Sequence, residues 1–184
     1  DLLPAIVFLP TRRRCDEAAS EVAADKSQRH EPERQQRRSD IFDEFVVEYV
    51  SDGRVALITL NRPQADNAIS TELAASLIEI LETIAARNTV RVAILAGAGD
   101  RAFSIGGDLR QRKNMTKEDW LRQRQVFDRV LYTLRQLRRP IIAAVHGMAY
   151  GGGCEIAIST DFIIASDDAV FGQTEAMVGL SAGG

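Results

Sequence analysis

Pro140-Ile141-Ile142-Ala143-Ala144-Val145 leads through His146 and Gly147 into Met148-Ala149-Tyr150-Gly151-Gly152-Gly153-Cys154-Glu155, and Ile156-Ala157-Ile158 follows at once. The first apolar run reads as a buried strand and the second as a buried helix, so the chain must turn from one to the other within a few residues. Consecutive glycines permit that turn and leave a backbone without Cβ atoms, open to close approach by a ligand. The helix start adds unpaired N–H groups and the positive end of the helix dipole. Together these features suit a developing negative charge. Glu155 lies inside the junction, and an acid among apolar neighbours costs stability unless it has a partner or a chemical role. Simple packing would explain the same residues, with Glu155 favoured at a helix start by a few tenths to about 1 kcal/mol.

A second junction separates the two readings. Val90-Arg91-Val92-Ala93-Ile94-Leu95-Ala96 reads as a strand, and beyond a short turn comes Ala102-Phe103-Ser104-Ile105-Gly106-Gly107-Asp108-Leu109, backbone again bared by glycine. Two such segments can bring two N–H donors onto one oxygen. An oxyanion hole needs that pair, with donors about 2.7–3.1 Å from the charged oxygen.

The rest of the chain from Phe45 onward is regular. Val46 to Val50 and Val55 to Leu60 are β-branched runs separated by Ser51-Asp52-Gly53, a hairpin signal. Ser70 can cap a helix carrying Leu73, Leu77, Ile80, Leu81 and Ile84 at helical spacing. A second amphipathic helix is expected between Lys117 and Arg138, with Val126, Val130, Leu134 and Leu137 on one face. Strand Ile141 to Val145, helix Gly152 to Ser159 and strand Phe162 to Ala165 continue the strand-then-helix order, which implies a mainly parallel sheet. Gly97-Ala98-Gly99-Asp100-Arg101-Ala102 spells a dinucleotide-binding pattern. A Rossmann motif would open a long helix inside it, whereas Phe103 to Gly107 is interrupted by glycine, so a tight turn is the better reading.

With 184 residues and 45% hydrophobic content, the chain can bury one sizeable core. A net charge of −3 argues against a nucleic-acid partner. No apolar run approaches the roughly 18 residues of a membrane span. Cys15 and Cys154 are too few for a disulfide framework, which points to a reducing cytoplasm, and neither His is placed by sequence to activate Cys154 as a nucleophile. No His, Cys and carboxylate grouping has metal-ligand spacing. Residues 1–40 mix both charge signs with Ser, Gln and Ala and hold almost no large apolar residue after Val22, so this segment is expected to be disordered or extraneous.

The segments above resemble the enoyl-CoA hydratase/isomerase (crotonase) superfamily. The resemblance runs from about Phe45 to Gly184. It rests on Ile58-Thr59-Leu60-Asn61-Arg62-Pro63 with Asn67-Ala68, on Ala102 to Leu109, on Pro140 to Glu155 with Asp161, and on Phe171-Gly172-Gln173-Thr174-Glu175 with Val178-Gly179-Leu180. It implies an α/β, crotonase-like (ClpP/crotonase) fold of repeated ββα units, a mainly parallel sheet covered by helices. Residues 41–184 would be the acyl-CoA-binding catalytic core, expected to be incomplete at its C-terminus because family members usually add further helices there.

The resemblance also implies roles. The backbone N–H groups of Gly107 and Gly152 would hold the thioester oxygen of an acyl-CoA, and Glu155 and Glu175 would be the catalytic carboxylates. Coenzyme A would run along Arg62, Ala65, Gly107, Asp108, Leu109 and Arg110, with Arg62 or Arg110 meeting phosphates. Asp108 is expected to secure its loop, His146 to be a structural hydrogen-bonding residue, and Trp120 and Phe127 to wall the acyl pocket. Many isomerases of the family use a single acid at the Glu175 position, so two acids favour an enoyl-CoA hydratase. An isomerase, or a silent binding or assembly subunit that keeps the core, are the alternatives. No cofactor is expected beyond the coenzyme A of the substrate, and the full-length protein would be a homotrimer or hexamer.

Overall fold

The computed structural model describes residues 5–9, 38–42 and 44–179. Two strands lie in or across the leading segment: β1 (Ala5–Leu9) and β2 (Arg38–Phe42). Here the structure departs from the expectation of a disordered lead. β1 runs parallel to a later strand in a five-residue register from Ala5 opposite Phe162 to Leu9 opposite Ser166, and β2 pairs antiparallel with the next strand across the boundary expected at residue 40. Backbone pairing at a sheet edge orders these short pieces, which composition averaged over forty residues cannot register. The remainder of residues 1–40, including Cys15, lies outside the described residues.

β3 (Phe45–Val50) and β4 (Val55–Leu60) form the expected antiparallel hairpin. Ser51, Asp52 and Gly53 turn it with φ of +53°, +57° and +76°. Helix α1 (Thr71–Ala86) follows, capped by Ser70, whose Oγ accepts from the Leu73 N–H at 3.0 Å. Its Leu73, Leu77, Ile80, Leu81 and Ile84 are buried, each contributing about 1.5–3 kcal/mol by leaving water. β5 (Val92–Gly97) ends in the glycine turn and then becomes a strand, β6 (Ala102–Ser104), rather than a helix. A Cβ on Gly97 would lie 2.6 Å from the Phe103 carbonyl oxygen, so close backbone approach accounts for that glycine.

The short α2 (Leu109–Arg112) precedes α3 (Lys117–Gln136), which begins with a capping box between Thr116 and Asp119. β7 (Ile141–Val145), β8 (Met148–Tyr150), α4 (Gly152–Ile158), β9 (Phe162–Ser166) and β10 (Val170–Gly172) complete the order, and a 3₁₀ turn spans Thr174–Val178. The main sheet has the order β1-β9-β7-β5-β4-β3-β2, parallel from β1 through β4. On its helix-covered face Ala93, Leu95, Ala143 and Ile163 pack with buried residues of α1, α3 and α4. Val92, Ile94, Ala96, Ile142, Ala144 and Ile164 form a separate cluster on the other face. The alternation follows from the period-two geometry of a strand.

A second, fully parallel sheet, β10-β8-β6, is absent from the sequence reading. Each of its strands continues the loop beyond a long one: β6 after β5, β8 after β7, β10 after β9. It thereby ties together the segments leaving the carboxyl ends of three parallel strands, where open α/β sheets place their ligands.

Candidate active site

The loop from Ser104 to Asp108 is held amide by amide. The Ile105 N–H donates to the Asp66 carbonyl at 3.2 Å, that of Gly106 to Ser104 Oγ at 3.2 Å, and that of Asp108 to the Ile69 carbonyl at 2.9 Å. The Gly107 N–H alone among these has no acceptor among the described residues. Ile69 bonds to Gly106 and Asp108 on either side of it, as in a parallel ladder, so the Gly107 amide faces away from Ile69. Gly152 opens α4, where a helical N–H has no acceptor within the helix.

Glycine lets these two amides come together. A Cβ on Gly106, at φ +84°, would stand 2.7 Å from the Tyr150 carbonyl oxygen and 2.8 Å from Gly152 N. A Cβ on Gly153 would lie 2.3 Å from the Ser104 carbonyl oxygen. The two glycine junctions are thus in direct backbone contact.

A cavity of about 220 Å³ is lined by both Gly107 and Gly152, by both Glu155 and Glu175, and by Trp120 and Phe127. Glu155 is buried in the first turn of α4. Glu175 enters from the 3₁₀ turn, close enough that a Cβ on Gly151 would stand 2.8 Å from its Oε1. Its other oxygen, Oε2, is buried without a hydrogen-bond partner among the described residues. A carboxylate oxygen left so is poised for a ligand or water. Burial, the largest influence, pushes the Cys154 thiol up; a hydrogen bond from the Gly172 backbone opposes it without reversing the shift, and the Glu155 and Glu175 charges push the same way as burial. Cys154 therefore stays a neutral thiol.

A groove of about 430 Å³ meets this cavity at Gly107, Gly152 and Glu175, and is lined by Ala65, Asp66, Ala68, Asp108, Leu109 and Arg110. Of the residues expected along coenzyme A, Arg62 lines neither space. Its Nη1 donates to the Ala68 carbonyl at 2.7 Å, its Nη2 to Asp108 Oδ2 at 3.1 Å, and its Nε pairs with Glu44 at 3.1 Å. Those contacts commit its donors to holding the loop, so the phosphate role expected of it passes to no contact here. Asp108 caps α2 by accepting from the Arg110 N–H at 3.0 Å. Burial raises the Asp108 carboxyl, but the Arg62 hydrogen bond, the Gln111 and Arg110 amides and the Arg62 charge outweigh it and hold the group below the usual range.

Two contributors, Gln123 and Arg112, escaped the sequence reading, and Asn67 entered it only as part of a motif, without a role. Asn67, buried at φ +54°, donates from Nδ2 to the Ala98 and Ala102 carbonyls at 2.9 and 2.8 Å and accepts the Arg62 N–H at 3.0 Å. Buried Gln123 and half-buried Arg112 complete the inner cavity wall. His146 is buried at the turn between β7 and β8, where its carbonyl accepts the Phe103 N–H at 2.9 Å. Among the described residues no group of side chains could hold a metal, and no helix is long and apolar enough to cross a membrane.

Residues 51–184 match the family model for enoyl-CoA hydratase/isomerase. The chain belongs to the enoyl-CoA hydratase/isomerase family. A short-chain-enoyl-CoA hydratase of Clostridium acetobutylicum is 39% identical over 132 residues, covering 72% of this chain and 51% of that protein. An (E)-benzylidenesuccinyl-CoA hydratase of Thauera aromatica is 40% identical over 132 residues, 70% of this chain and 50% of that protein. The crystal structure of an enoyl-CoA hydratase from Bacillus anthracis superposes with a TM-score of 0.70 at 34% identity, over 81% of this chain and 54% of that one. This member of the enoyl-CoA hydratase/isomerase family thus has the crotonase fold and spans about half the length of the curated relatives it matches.

Proposed function

We propose that the protein hydrates a 2-enoyl-CoA, binding the thioester where the two spaces meet, with the acyl group in the inner cavity and coenzyme A along the groove. The observation that carries this reading is that Glu155 and Glu175 line one small cavity together with the two glycines whose amides are open. Names of relatives point the same way, since several are hydratases of enoyl-CoA thioesters.

In this reading one carboxylate takes a proton from water as the water oxygen bonds to the β-carbon. The electron pair of the double bond shifts toward the thioester, giving an enolate whose oxygen is held by the Gly107 and Gly152 amides. The other acid delivers a proton to the α-carbon, and the thioester carbonyl re-forms. The amides act because charge on the oxygen is larger in the enolate than in the bound substrate. Losing one such donor commonly costs about 2.7–4 kcal/mol of barrier.

The test is the rate at which conjugated thioester absorbance is lost with a trans-2-enoyl-CoA. Glu155→Gln and Glu175→Gln should each lower kcat at least about a hundredfold, the lower range for general acid–base catalysis. Two variants with near-wild-type rates would defeat the mechanism. Dependence on Glu175 alone, with a shifted double bond as product, would make the protein an isomerase. Tight acyl-CoA binding without turnover would make it a silent subunit.

A further inference from the structure

Arg112 has no part in the reaction as described, yet it lines both the inner cavity and the groove, as only Gly107, Gly152 and Glu175 otherwise do. These four residues mark the waist where the thioester would lie. Arg112 is anchored there through Nε, which donates to Gln123 Oε1 at 2.8 Å. Gln123 is itself fixed, donating from Nε2 to Thr71 Oγ1 at 2.9 Å and to Gln111 Oε1 at 3.0 Å. The free end of the guanidinium rests on the oxyanion glycine: a Cβ on Gly107 would stand 2.6 Å from Nη2 and 3.1 Å from Nη1. Among the described residues neither Nη has a carboxylate or carbonyl partner.

We propose that the Arg112 Nη groups are a third, charged donor to the thioester oxygen, beside the Gly107 and Gly152 amides. The proposal rests on the thioester site proposed above. A guanidinium does not give up its proton, so no bond forms or breaks at Arg112 and its contribution is electrostatic. As the enolate forms, charge on the oxygen grows, and a cation gains more from the transition state than from the substrate. Hydrogen bonds with an ionised partner are about twice as strong as neutral ones. Anchoring at Nε presets the planar fork, so little side-chain freedom is lost when the oxygen arrives.

The probe is 4-(dimethylamino)cinnamoyl-CoA, whose electron-donating amine deactivates the β-carbon toward water and whose absorption moves to longer wavelength as the carbonyl is polarised. Bound to the purified full-length protein it should show a red shift. Arg112→Met should keep binding it but lose much of that shift, and Arg112→Lys should recover part of it. In turnover Arg112→Met should lower kcat about ten- to a hundredfold with KM within about threefold, at or below the cost of losing one oxyanion donor. Gly107→Ala pushes only on the movable end of Arg112, so its cost should shrink in the Arg112→Met background. A folded Arg112→Met protein with an unchanged red shift and unchanged kcat overturns the proposal, as does Arg112→Lys matching Arg112→Met in both readouts. A red shift that depends on Arg112 in a wild-type protein that hydrates no enoyl-CoA upholds Arg112 and sinks the hydratase reading. Brisk hydration with a shift indifferent to Arg112 does the reverse.

Discussion

Gly106→Ala separates the backbone demand of the site from the general demand of a left-handed residue, with Gly53→Ala as its reference. Both glycines sit at positive φ, +84° and +76°. Alanine there costs about 1–2 kcal/mol in either position. At Gly53 nothing else intervenes, since the nearest atom to a new Cβ is Thr89 Oγ1 at 3.9 Å. At Gly106 the Cβ meets backbone at 2.7 and 2.8 Å, the second contact being Gly152 N itself. Backbone cannot rotate aside as a side-chain end can, so overpacking adds about 1–3 kcal/mol. The total is about 2–5 kcal/mol. For a chain of this size each kcal/mol moves Tm by about 2–4 °C, so Gly53→Ala should lower it about 2–8 °C and Gly106→Ala about 4–20 °C. Only Gly106→Ala should also depress kcat, approaching the 10²–10³ that a lost oxyanion donor costs, roughly, because it displaces the Gly152 amide. Thermal melts and hydration rates of the two variants decide it. Equal melting losses with equal, wild-type-like rates would refute the contact between the two junctions as the reason for Gly106.

Asn67→Ala should destabilise the protein by about 2–6 kcal/mol in denaturant titration, because it strips hydrogen bonds from two carbonyls, those of Ala98 and Ala102, at about 1–3 kcal/mol each; a loss within about 0.5 kcal/mol, ordinary for a surface site, would contradict its placement. Asp108 titrates lower in the folded chain than in the unfolded one, so it stabilises the fold above the ordinary Asp value of about 3.9 and that contribution is lost as pH falls through the folded value. Asp108→Asn should therefore flatten the acid limb of the stability profile below about pH 4, and an unchanged limb would remove Asp108 from the account.

What could be read from sequence was local. The hairpin at Ser51-Asp52-Gly53, the Ser70 cap and the apolar face of α1 each depend on residues within one turn or loop of each other, and the structure places all three as expected. The glycine runs were legible as bare backbone for the same reason. The β6, β8 and β10 sheet was not, since strands of three residues carry no periodicity and their pairing joins segments far apart in the chain. Arginine roles were harder still. Arg62 meets Asp108 across 46 positions and Arg112 meets Gln123 across 11, and nothing local tells a loop clamp from a residue at the site. Asn67 was noticed as part of a motif, but its work shows only once the Ala98 and Ala102 carbonyls are seen to converge on it.

In the proposed reaction two acids and two open amides add water to a conjugated thioester. Incubating the full-length protein with a trans-2-enoyl-CoA in H₂¹⁸O and weighing the product tests it most directly. Hydration predicts a 3-hydroxyacyl thioester that has gained one labelled water, with the ¹⁸O at the β-carbon and the label lost when Glu155 and Glu175 are both Gln. A product of unchanged mass with its double bond moved, or no product from a protein that binds the thioester, would contradict it.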